Sequence, residues 1–138
     1  MSAERGLLRA GALAALAAAL LTIVWLAMLL VLPVLPDEAT LEEQLYFVAE
    51  HQGAYVALYT GAFLLVLVQI PFLLALTALA YRRAGGQAWL WGVLALFYVI
   101  LSLWAYWTQL TVVRGLTDIF VNSEDAVLRA SALAVYLT

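Results

Sequence analysis

The chain has 138 residues, 67% of them hydrophobic and only 11% charged, with a mean hydropathy of +1.05. A soluble domain carries ~45 to 50% apolar residues, so this composition excludes a conventional water-facing fold and makes lipid the expected solvent. Arginine supplies every basic charge, and the net charge is −3, which excludes a basic surface for a phosphate backbone and so excludes nucleic acid as a partner.

The absence of cysteine removes disulfides, thiol nucleophiles and thiolate metal sites from consideration. Abundant alanine, leucine and arginine beside missing lysine suit a GC-rich bacterial genome, and hence the cell inner membrane as location.

Met1 to Arg9 is a short polar head, after which no charge appears until Asp37. The apolar run is longer than the ~7 to 15 residues of a signal peptide and lacks a small-residue cleavage site at its far end. We therefore expect an uncleaved first crossing over about 10–35. Gly11, Ala15 and Ala19 recur at helical spacing along it and predict a face that admits a close neighbour.

The next segment, Pro36 to Gln52, carries Asp37, Glu38, Glu42, Glu43 and Glu50. Thr40 followed by Glu43 fits a capping box, with Leu41, Leu45 and Val48 then sharing one face. The pattern predicts a short amphipathic helix over about 40–51, lying on the membrane surface. His51, the only histidine, ends it beside Glu50, and neighbours one residue apart on a helix do not converge on an ion.

A charge-free stretch over 53–81 is the second crossing, with Tyr55, Tyr59 and Tyr81 placed to anchor at the two interfaces. Gln69 near its middle should face protein, because an amide turned to hydrocarbon loses its hydrogen bonds at a cost of several kcal/mol. Pro71 removes the amide that would pair with the Leu67 carbonyl and predicts a helix kink there.

Arg82, Arg83, Gly85 and Gly86 form a tight basic turn into a third crossing over about 87–113. Trp89 and Trp91 at one end, with Trp104, Tyr106 and Trp107 towards the other, form aromatic belts. Tyr98, Ser102 and Gln109 fall on one helical face, the first two at about the depth of Gln69. These four polar side chains are the candidate intramembrane contacts, with a hydrogen bond expected from Gln69 to Tyr98 or Ser102.

Arg114 to Asp125 is expected to be a polar loop, in which Arg114 snorkels to phosphate or pairs with Asp118. Asn122 or Ser123 can cap a last helix over about 124–138, too short to cross and expected to be a crossing cut short, the alternative being a surface or half-depth helix.

The sequence thus predicts a single all-α domain over 1–138, a polytopic transmembrane bundle of three full crossings with a short fourth helix. Arg5, Arg9, Arg82 and Arg83 on one side, against Arg114 and Arg129 on the other, place the N-terminus in the cytoplasm. No catalytic, cofactor or metal motif is present in the residues, so neither an enzyme nor a cofactor is expected. The expected role is an accessory, assembly or interaction subunit working through helix packing in the lipid bilayer, as a homo-oligomer or with other membrane subunits. The alternative is a transporter or channel component with a path lined by Gln69, Tyr98, Ser102 and Gln109.

Overall fold

The computed structural model describes residues 2–31 and 38–136, and the expected end of the first crossing near residue 35 lies outside them. Its long helices are α1 (Ser2–Val31), α3 (Gln52–Ala84) and α4 (Gly86–Thr108), with α2 (Leu41–Glu50) between the first two. A five-residue π-helical turn, Gln109–Val113, continues α4 directly into α5 (Arg114–Asn122), and α6 (Ala126–Tyr136) completes the order. Among the described residues, three segments are long and apolar enough to cross a membrane: Arg5–Val31, Gln52–Ala84 and Gly86–Asn122. The chain is a multi-pass transmembrane helical protein with a short fourth helix, as its hydropathy requires.

The polar loop expected over Arg114 to Asp125 is instead helical as far as Asn122. At ~1.5 Å per residue the continuous Gly86–Asn122 helix is about 55 Å long, so α5 extends well past a ~30 Å hydrocarbon layer. Its polar residues are solvated without any need to leave the helix.

Helix α3 is the centre of the bundle, with α1 packed along one side and α4 along the other. Small residues set the spacing. Gly11, Ala14 and Ala18 are buried on α1, whereas Ala19 is exposed, so the close face is rotated from the Gly11, Ala15, Ala19 register that spacing alone suggested. A Cβ on Gly11 would lie 2.3 Å from the Ala75 Cβ and 3.3 Å from the Pro71 carbonyl oxygen. Across the α3–α4 seam, a Cβ on Gly92 would lie 2.8 Å from the Thr77 methyl. Close backbone approach of this kind replaces the hydrophobic drive that lipid cannot supply.

The turn between α3 and α4 is a single residue, Gly85, at φ +55° and ψ −126°. A side chain disfavours this conformation, which is why a glycine closes the hairpin. Hydroxyls inside the helices are satisfied locally: Thr22 donates to the Ala18 carbonyl at 2.8 Å, and Thr77 to the Leu73 carbonyl at 2.8 Å.

The three short helices gather at the end remote from Gly85. Leu45 of α2, Phe120 of α5 and Ala132 of α6 are 0%, 1% and 2% exposed and form one cluster, with Leu116 and Leu133 packed around it. The apolar face of α2, expected to lie on lipid, is covered by α5 and α6. Either arrangement satisfies the same amphipathic pattern, and the fold uses it for protein contact because α5 rises far enough from the membrane to meet it.

The capping box forms as its spacing predicts. Thr40 donates to Glu43 Oε2 through its backbone amide (2.6 Å) and its hydroxyl (2.9 Å), while the Glu43 amide donates to Thr40 Oγ1 at 3.3 Å. The backbone and then the hydroxyl bond hold the Glu43 carboxyl below its ordinary value of 4.5. A lowered carboxylate pKa contributes stability above the unfolded value, and this contribution is lost as pH falls through the folded one. In a carboxyl-carbon NMR titration of the solubilised protein, Glu43 should titrate below the ordinary carboxylate value, and Thr40→Val should move it up towards that value.

Candidate functional site

Gln69 lies near mid-depth on α3, half-buried. Thr77 faces Gly92 and Tyr59 faces Tyr106, and interpolating between these pairs puts Gln69 level with Tyr98 and Val99. The face of α4 turned to α3 is not the one that the polar spacing suggested. Val99 is the residue turned to α3, at 5% exposure, while Tyr98 is 54% exposed on the outer surface. One residue is 100° of rotation on a helix, enough to carry the phenol away from the seam. Ser102 is half-buried, and among the described residues no hydrogen bond joins Gln69 to Tyr98 or Ser102.

Gln109 is brought into a contact. It opens the π turn, and its Oε1 accepts a hydrogen bond from the Tyr55 hydroxyl. About 35 Å along the helix from Gly86, this pair sits at the membrane boundary remote from the arginine turn. Around it, the Tyr55 and Tyr59 rings are 4.6 Å apart, Tyr59 lies 6.3 Å from Tyr106, and Gln52 Nε2 donates to Asp118 Oδ1 at 3.3 Å. At this boundary Tyr55 packs on the π turn and Tyr59 on α4. The partner of Asp118 is Gln52, not Arg114. A π turn inserts one residue and so rotates α5 relative to α4, and such turns recur at functional positions. Tyr55→Phe should lower the unfolding free energy by about 0.6 to 1.7 kcal/mol in an SDS titration, the range for one interhelical hydrogen bond.

No family model, curated protein or solved structure matches this chain.

Pro71 stands inside α3, which continues as one helix on both sides of it, and its carbonyl faces Gly11. Sequence reasoning passed over Trp25, whose indole N–H donates to the Leu58 carbonyl at 3.2 Å and whose ring edge covers Gly61. The signal in the sequence is the spacing of seven that links Gly11, Ala18 and Trp25 on one face. His51 joins α2 to α3, its Nδ1 3.1 Å from the Phe47 carbonyl and its ring 4.5 Å from the Phe47 ring. Among the described residues no three of His, Asp or Glu gather as a metal site. The cap of α6 is Asp125, whose Oδ1 accepts from the Val127 amide at 2.8 Å, in place of Asn122 or Ser123.

Clefts along the bundle are lined chiefly by apolar side chains. One between α3 and α4 runs from Ile70 to Trp89 and Val99, and one between α1 and α3 is lined by Ile23, Met28 and Ala54. Neither takes a wall from Gln69, Tyr98, Ser102 or Gln109.

Proposed function

We propose that the protein is a non-catalytic interaction subunit of the bacterial inner membrane, with its arginine-bearing end cytoplasmic, that binds a further transmembrane helix through α3 and α4. The observation that carries this reading is Gln69, an amide at mid-depth that finds no hydrogen-bonding partner among the described residues. Hydrocarbon offers none either, and an unpaired amide there costs several kcal/mol. A helix from a second copy or another subunit that presents a polar group at this depth removes that cost. Tyr98 and Ser102 at the same level on α4 extend the polar surface available to it.

A transport path has less support, because the α3–α4 and α1–α3 clefts are apolar and bypass these residues. Gln69→Leu should abolish association, read as loss of the slower-migrating species in native electrophoresis of gently solubilised membranes, while the isolated chain stays as stable as wild type. Unchanged association would overturn the proposal. A reporter enzyme fused after Arg83 should be active only in the cytoplasm.

A further inference from the structure

The arginine-bearing end of the bundle holds a cleft of about 450 Å³ where all three long helices meet. Leu7 and Leu8 of α1 form one wall, Leu74, Thr77 and Arg82 of α3 the floor and mouth, and Trp89 of α4 the other wall. It shares Leu74, Thr77 and Trp89 with the α3–α4 cleft of about 230 Å³, which continues to Ile70 and Val99. The two are one groove. From Arg82 to Ile70 is twelve residues, about 18 Å of helix, close to the ~15 Å half-thickness of the hydrocarbon. The groove therefore runs from the headgroup level to the middle of one leaflet.

Charge distinguishes its two ends. The deep end is apolar, whereas Arg82 stands in the mouth, Arg83 is next in sequence, and exposed Arg5 and Arg9 lie on the same end of α1. Glu4 is the only acid in the polar segments at this end. A partner helix would not need a cationic mouth above an apolar slot one leaflet deep, but an anionic phospholipid matches both parts. We propose that this groove is a binding site for an anionic phospholipid, its phosphate at Arg82 and an acyl chain laid along Leu74 and Thr77 under Trp89 towards Val99. Lysine or arginine near the membrane surface favours anionic lipid, and the indole of Trp89 suits the boundary between headgroup and chain.

Trp89 also reports on the occupant. The full chain in nanodiscs would be compared with its Trp89→Phe variant, so that the difference isolates this tryptophan from the other four. Phosphatidylglycerol and phosphatidylcholine carrying brominated acyl chains serve as quenchers. The expected result is an apparent affinity about fivefold or more higher for phosphatidylglycerol, the factor for one arginine near the surface. Arg82→Gln should erase the preference. Should that variant fail to assemble, raising salt on the wild-type protein tests the same charge effect and should narrow the preference. Equal quenching by the two lipids, or a preference that survives both treatments, would overturn the site. So would Trp89 shielded from both lipids, which would mean that a second copy fills the groove.

Discussion

Gly11→Ala is expected to destabilise the bundle by about 1 to 3 kcal/mol, although the same substitution at an open helical glycine is stabilising. The reason is distance. The new methyl at position 11 would start 2.3 Å from the Ala75 Cβ, with the Pro71 carbonyl oxygen at 3.3 Å, and neither atom belongs to a flexible side chain that can swing aside. The helices must part, and the cost then spreads along α1. Trp25, farther along the same seam, donates to the Leu58 carbonyl at 3.2 Å, and this bond is stretched when α1 shifts. Gly115, also helical, meets nothing within 4 Å and supplies the control: Gly115→Ala should gain about 0.5 to 1 kcal/mol from helix propensity. Gly92→Ala falls between, since its 2.8 Å neighbour is the methyl of Thr77, a β-branched side chain with few alternative rotamers. SDS titrations of the three variants in one detergent check the ordering. Equal effects at positions 11 and 115 would show that α1 and α3 are not held at contact distance.

How far the sequence carried the structure depended on the kind of signal. Hydropathy over twenty or more residues is dictated by the solvent, so the three crossings were legible, as was the capping box of Thr40 and Glu43, which is local chemistry. The face of each helix was harder to read. In water the apolar stripe marks the inside, but in lipid both inside and outside are apolar, and α4 reads as hydrophobic all round. Polarity alone points Tyr98 inward, whereas packing depends on the small and branched residues Ala88, Gly92 and Val99. The π turn at Gln109–Val113 begins at the residue that Tyr55 contacts, and no local pattern announces it. Helix α5 reads as loop for a related reason: Arg114, Asp118 and Asn122 mark the end of the hydrocarbon, which is not the end of the helix.

Phe120→Ala should undo the cap formed by α2, α5 and α6 while leaving the crossings in place. Phe120 is 1% exposed at the junction of the three short helices, with the Tyr46 ring edge-on at 5.3 Å and the Arg129 guanidinium 5.0 Å from its centroid. Arg129 is fixed in turn by donating to the Tyr46 hydroxyl at 3.1 Å, so one ring links α2, α5 and α6. Emptying such a site costs about 3 to 5 kcal/mol, more than helices of 10 and 11 residues hold in reserve, since isolated helices of that length are marginal in water. The loss should stay local because α6 packs on α5 and α2 packs chiefly there too, while α1 and α4 rest on α3. Hydrogen exchange read by mass spectrometry should show α2 and α6 losing protection together, with the peptides of α1, α3 and α4 unchanged. Leu45→Ala should produce the same pattern, and the two substitutions combined should cost less than their sum, because either one alone empties the cluster. Arg129→Met should cost less, about 0.5 to 2 kcal/mol, the range for a half-buried cation over a ring. If α2 kept its protection in Phe120→Ala, its apolar face would have to be held by the lipid surface, and the cap would be an accessory to the membrane in place of a folded unit above it.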